Sequence, residues 1–199
     1  GSGMKGLTFI DNGFRDLSNS KRPIEKLADF DGLSFRVIGA PVFINTFEAL
    51  GTNPVPMPFP EVYTALETGT VDGQDNPLLT VRDLNFYEVQ DYLTTSKHAY
   101  SALVMLISQP FWNSLSDDDK AMLQQAADET AIENRKIMRA AVEEAKAFLG
   151  SEEGGMTVSE LTPEARAEIV EAVAPVTEGL VTDAIRPLYE EMQATLAED

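Results

Sequence analysis

The chain has 199 residues, 43% of them hydrophobic, with 15 basic side chains against 33 acidic ones, a net charge of -18 and no cysteine. That length supports one domain or two small lobes with a real core. The acidity leaves no basic stripe to release counterions from a phosphate backbone, which excludes nucleic acid and, equally, an anionic membrane surface. Without cysteine there is no disulfide, thiolate nucleophile or cysteine metal site.

Leu7 to Asp11 reads as a short apolar strand, ended by the turn signal Asn12-Gly13. A polar stretch from Asp16 to Pro23 leads to a second strand, Leu33 to Ile38, announced by Asp31-Gly32. Pro41 to Leu50 has a helical pattern, with Pro41 suited to a first turn and Gly51 to a C-terminal stop. The prolines at 54, 56, 58 and 60 make the next segment extended. A short helix from Glu61 to Glu67 precedes a turn, Val71 to Pro77, and then two strands, Asp91 to Ser96 and Tyr100 to Ile107.

Ser116 before Asp117-Asp118-Asp119 forms an N-cap with acids in the first turn, where the helix dipole favours them. Met122, Ala126, Thr130, Ile137, Ala141, Ala145 and Phe148 keep helical spacing as far as Leu149-Gly150, a span of roughly 45 to 50 Å at about 1.5 Å per residue. A helix that long is expected to cross two lobes. Gly154-Gly155 breaks the chain, and Met156 to Val158 reads as a strand. Thr162-Pro163-Glu164 opens a last helical region that Pro175, Gly179 and Pro187 are expected to interrupt or kink. No apolar run approaches the twenty or so residues that span a bilayer, and any export signal is expected upstream of Gly1.

Strands alternating with helices indicate an α/β architecture with a parallel or mixed sheet. Catalytic constellations are sparse. His98 is the one histidine, and no nucleophile elbow, P-loop or dinucleotide fingerprint appears. Asp72, Gln74 and Asn76 have the spacing that starts a calcium loop, but Pro77 stands where that loop needs glycine, and Asp83 where it needs glutamate. No metal and no cofactor is expected. Arg36 lies in the run Leu33-Ser34-Phe35-Arg36-Val37-Ile38, near the C-terminal end of a strand, where a guanidinium can grip a carboxylate through two parallel hydrogen bonds. Its position is equally compatible with an outward-facing, solvated arginine. Arg15 suits a loop charge as well as a binding residue, and Asn76-Pro77 suits simple turn chemistry.

Five runs together go further. Asn12-Gly13-Phe14-Arg15, Asp31 to Val37, Leu50-Gly51-Thr52-Asn53-Pro54, Pro58-Phe59-Pro60-Glu61-Val62-Tyr63-Thr64-Ala65-Leu66 and Val71-Asp72-Gly73-Gln74-Asp75-Asn76-Pro77 stand in an order and spacing that closely resemble the substrate-binding proteins of TRAP transporters, the DctP-like family. The similarity continues through Phe86-Tyr87-Glu88-Val89 and His98 into the long helix.

The resemblance implies a periplasmic protein of the type II periplasmic-binding fold, two α/β lobes joined by hinge strands and a long lobe-spanning helix. Such a protein closes on a small organic acid and presents it to a pair of membrane permease subunits. On this pattern Arg36 holds the ligand carboxylate, Asn76 hydrogen-bonds the ligand, Arg15 adds a second cationic contact and Phe59 lines the pocket. Two departures touch the finer contacts: Asp75 where many relatives carry glutamate, and Ile38-Gly39 where others have proline and a polar residue.

The chain is expected to be a fragment that lacks most of the N-terminal lobe. Residues 1-12 would be a hinge-strand remnant of lobe I, 13-100 lobe II, 101-141 a hinge strand and long helix belonging to lobe I, and 142-199 a C-terminal part packing on lobe II. Part of Tyr100 to Ile107 and a stripe of the long helix would then be exposed, favouring self-association. Two rival readings remain at this level: a lyase or isomerase using Asp72 or Asp75 as base with Arg36 as substrate clamp, and a ligand sensor outside transport.

Overall fold

The structure, a computed structural model, describes residues 2–196. Its centre is one mixed sheet of six strands in the order β3-β2-β4-β1-β5-β6. These are β1 (Met4–Asn19), β2 (Ser34–Val37), β3 (Asn53–Pro56), β4 (Gly73–Pro77), β5 (Tyr92–Ser108) and β6 (Thr157–Glu160). β2 runs parallel to both β3 and β4, whereas β1 pairs antiparallel with β4 and β5. The helices are α1 (Pro41–Ala49), α2 (Val62–Glu67), α3 (Leu78–Asp83), α4 (Gln109–Ser114), α5 (Asp117–Leu149), α6 (Pro163–Leu180) and α7 (Arg186–Leu196). This is the α/β class expected.

Strand alternation divides the core between the two faces of the sheet. Leu17, Phe35 and Val37 point to one face and pack with Phe47 of α1 and Ile169 of α6. Leu93 points to the other face and joins Val62 and Leu66 of α2, Leu78 and Val81 of α3, and Ala145 and Leu149 of α5. Arg36, which alternates with Phe35 and Val37, belongs to this second face.

Several local expectations are corrected. Asn12-Gly13 does not end the first strand, because β1 continues to Asn19. Asp11 pairs with Ala102 and Phe14 with Tyr100, so Asn12 and Gly13 together oppose Ser101 as a bulge, with Gly13 at φ 91°. A left-handed glycine serves a bulge as readily as a turn. The expected strands Asp91 to Ser96 and Tyr100 to Ile107 form a single strand, β5. Its interruption is a second bulge: Arg15 pairs with Ala99 and Leu17 with Thr94, leaving Asp16 opposite Thr95 to His98, with Lys97 at φ 47°.

Val71 to Pro77 is not simply a turn, since Gly73–Pro77 is β4, buried along its whole length between β2 and β1. Its side chains are polar yet enclosed, so an apolar period of two is absent. A Cβ on Gly73 would lie 2.4 Å from the Ser18 carbonyl oxygen and 2.9 Å from the Phe35 ring, which makes glycine obligatory at this close approach.

α5 begins as expected, with Ser116 Oγ accepting from the Asp119 amide at 3.1 Å, and its 33 residues extend over about 50 Å. α6 starts at the Thr162 cap but runs through Pro175 and Gly179 to Leu180, uninterrupted by either. Ile169 and Val173 on its preceding turns are packed into the Phe47 cluster and hold it in place. Pro187 sits in the first turn of α7, where its missing amide costs nothing. No helix among the described residues is long and apolar enough to cross a membrane. Phe9, Val104 and Leu106 on the β1–β5 ribbon, and Met122, Ile132 and Ile137 on α5, are exposed.

Candidate ligand-binding site

The site gathers at the C-terminal ends of the parallel strands β2 and β4, where α/β sheets commonly present binding groups. Arg36 stands one residue before the end of β2 and pairs in register with Gln74. It is only 3% exposed. The outward-facing alternative is therefore corrected: this face of β2 is covered, not solvated.

Met57 follows β3 in the proline-rich segment, and its carbonyl oxygen accepts from both Nε and Nη2 of Arg36, at 3.1 and 2.9 Å. The Phe59 ring lies 5.7 Å from the guanidinium carbon, within cation–π range, and is itself 42% exposed. Among the described residues no carboxylate lies within ion-pair distance of Arg36. Burial lowers the Arg36 pKa; the Asp75 charge opposes that shift, and Arg15 adds to it. An opening of about 420 Å³ is bordered by Arg36, Ile38, Gly39, Met57 and Phe59. Ile38 and Gly39 thus lie on the rim of this opening.

Asn76 is buried on β4, two residues beyond Gln74 and on the same face as Arg36. Its amide donates to the Gln74 side-chain oxygen, Gln74 donates to Ser18 Oγ at 2.8 Å, and Ser18 donates to Gln90 at 3.0 Å. This chain of buried hydrogen bonds fixes the Asn76 donor and leaves its carbonyl oxygen without a partner among the described residues.

Arg15 occupies the opposite face. Its Nε and Nη2 donate to the Asp75 carboxylate and carbonyl, and the guanidinium carbon lies 5.6 Å from the Phe43 ring of α1. Asp75 is fully buried, and His98 Nε2 approaches the same carboxylate oxygen at 3.3 Å while Ser96 Oγ meets His98 Nδ1 at 2.7 Å. Burial pushes the Asp75 carboxyl up, but hydrogen bonds to His98 and Arg15 outweigh it and bring the pKa down to about 2. The other carboxylate oxygen of Asp75 is enclosed with no partner among the described residues.

The structure thus joins Arg36 to Phe59 and sets Asn76 on the neighbouring strand. Arg15 is held apart from them by Asp75. His98 enters this group from 23 residues away in sequence. No local spacing signals that contact.

The family model for bacterial extracellular solute-binding protein, family 7 (DctP), matches residues 1–183. The chain belongs to that family. It is 39% identical over 158 residues to the 2,3-diketo-L-gulonate-binding periplasmic protein of Escherichia coli (strain K12), a match covering 79% of this chain and 48% of that protein. The sugar acid binding protein of Advenella mimigardefordensis in complex with galactonate is 44% identical, with a TM-score of 0.84 over 89% of this chain and 57% of that one. A TRAP periplasmic solute binding protein of Ralstonia eutropha H16 with bound (S)-2-acetolactate is 32% identical, with a TM-score of 0.91 over 99% and 64%. The chain therefore spans about half the length of the curated relative and about three fifths of the solved chains. Family 7 members are solute-binding proteins, and the fold seen here is that of their solved structures.

Proposed function

We propose that this family 7 chain forms one wall of a periplasmic cleft that captures a small organic acid for a TRAP-type transporter. Arg36 is the carboxylate clamp. The observation that carries this reading is a guanidinium 3% exposed, with no ion-pair partner among the described residues, beside an opening at the strand ends. A buried cation without a counter-charge is costly, and a ligand carboxylate would complete it through a charge-assisted pair. Asn76, with its free carbonyl oxygen, would accept from a ligand hydroxyl, and Phe59 would cover the carbon skeleton. Arg15 would offer its remaining Nη1 as a second cationic contact.

The related proteins support the ligand class: 2,3-diketo-L-gulonate, galactonate and (S)-2-acetolactate are all carboxylates with hydroxyl or oxo groups. A sugar acid or comparable hydroxy or oxo acid fits best. The enzyme reading loses support at Asp75, since a carboxyl with a pKa of about 2 that is already hydrogen-bonded makes a poor base at neutral pH. The β1–β5 ribbon and α5 would serve as the hinge to a second lobe, with a membrane permease pair as the partner downstream. The mass of a small molecule released on denaturing the protein, as its full reading frame encodes it, tests this reading. A hydroxylated acid supports it and a cationic or uncharged solute overturns it.

A specific observation favours pairing of the chain with itself. Phe9 and Val104 are cross-strand partners on the ribbon, and with Leu106 all three are exposed, an apolar face able to meet a second copy.

A further inference from the structure

A cavity of about 450 Å³ opens where β1 and β5 meet α5, and it shares no wall residue with the opening beside Arg36. Its volume is that of a small-molecule site. Two of the three register shifts of the ribbon line it, through Gly13 on one strand and Lys97 on the other, both with left-handed backbone. Phe14 and Tyr100, packed edge to face at 5.2 Å, supply an apolar wall.

Asp16 is the polar group the ribbon leaves unanswered. It is 3% exposed, and its Oδ1 accepts from the Lys97 amide at 2.9 Å. Oδ2 has no hydrogen-bond partner among the described residues, and no cationic side chain lies within ion-pair distance. Burial raises the Asp16 pKa, as expected for a carboxyl short of compensation. Nearer the surface, Lys97 and Arg139 are exposed cations without ion pairs among the described residues, whereas Lys146 is paired with Glu160. The walls carry both signs of charge, Asp11, Asp16 and Glu143 beside Lys97, Arg139 and Lys146, the last of which is held by Glu160.

A partly enclosed pocket with both signs of charge on its walls disfavours a solute of a single charge, because that charge would meet like charges as well as opposite ones. Its internal polarity favours a solute with a cationic donor at one end and an anion at the other. We propose that this hinge cavity binds a small zwitterion, an α- or β-amino acid, with its ammonium group on Asp16 and its carboxylate toward Lys97 and Arg139. An occupant in that pose connects both ribbon strands to α5. The cavity shares no wall residue with the opening beside Arg36, although Asp16 is the cross-strand partner of Asn76.

The test is a titration of the chain with L-alanine and with β-alanine, followed through the backbone amide shifts of Gly13 and Lys97. Saturable shifts in the millimolar range are expected, and they should persist with excess galactonate present. Asp16→Asn keeps an acceptor for the Lys97 amide and loses the charge, so it should weaken amino-acid binding at least about tenfold. Arg139→Ala, at an exposed position that leaves the fold intact, should weaken it severalfold. No saturable shift with either amino acid overturns the proposal. So does displacement by galactonate, or equal binding by the parent chain and a folded Arg139→Ala or Asp16→Asn variant.

Discussion

Both donors of the inner edge of Arg36, Nε and Nη2, converge on one carbonyl oxygen, that of Met57, at 3.1 and 2.9 Å. A neutral acceptor orients the guanidinium without neutralising it, so the charge is aimed but uncompensated. Arg36→Met should therefore leave the ligand-free protein as stable as the parent, or more stable by about 1 kcal/mol, because an apolar side chain of similar length removes a buried unpaired cation. Urea denaturation measures this. A loss of more than about 2 kcal/mol would show that the arginine is a structural element first.

Asp75 behaves in the opposite way. Its carboxylate holds Arg15 and meets His98 in a buried group, so Asp75→Asn breaks a pair and strands a cation. The expected cost is about 3 to 5 kcal/mol, read from the shift in the urea midpoint at neutral pH. A change under about 1 kcal/mol would contradict the pairing.

The same carboxyl sets an acid limit. Its folded pKa of about 2 lies below the ordinary value of 3.8, so its contribution is complete above pH 4 and is lost as pH falls from about 4 through about 2. That difference is worth about 2 kcal/mol. Unfolding free energies measured from pH 6 to pH 2 should show this loss in the parent chain, and Asp75→Asn should lack that part of the slope.

Gly73 is enclosed by the Ser18 carbonyl and the Phe35 ring. Gly73→Ala should cost about 2 to 4 kcal/mol, as an overpacked backbone contact in the centre of a sheet. A near-neutral result by thermal unfolding would mean that β4 and β1 can separate cheaply.

Phe9 and Val104 give a test of pairing between copies. The double change Phe9→Asp and Val104→Asp should shift the chain to monomer by light scattering, with its circular dichroism unaltered. A parent chain that is already monomeric at high concentration contradicts the pairing.

How far the sequence revealed this molecule varies from element to element. α1 and α5 were legible because caps, prolines and period all act within a few residues: Pro41 and Gly51 bracket one, Ser116 and Gly150 the other. β4 was not. A strand is ordinarily read from alternating apolar residues, and Gly73-Gln74-Asp75-Asn76-Pro77 has no such alternation. Gln74 is bonded to Ser18, 56 residues away, and Asp75 to Arg15, 60 away. Neither partner is visible locally.

The bulge at Asn12-Gly13 looks like a strand end because a left-handed glycine suits a turn and a bulge alike, whereas the bulge at Lys97 carries no turn residue to announce it. Arg36 itself was ambiguous from its strand alone. Resemblance to a family singled it out, and the structure added its burial, the Met57 carbonyl and the missing counter-charge.

The most direct measurement is calorimetric titration of the full-reading-frame protein with galactonate, set beside Arg36→Ala and Arg36→Lys. Arg36→Ala should abolish binding or weaken it at least about a hundredfold, the equivalent of roughly 3 kcal/mol for a buried carboxylate pair. Arg36→Lys should recover only part, since a lysine cannot form the two parallel bonds. Galactonate binding by Arg36→Ala with unchanged affinity would contradict the assignment of Arg36 as the carboxylate clamp.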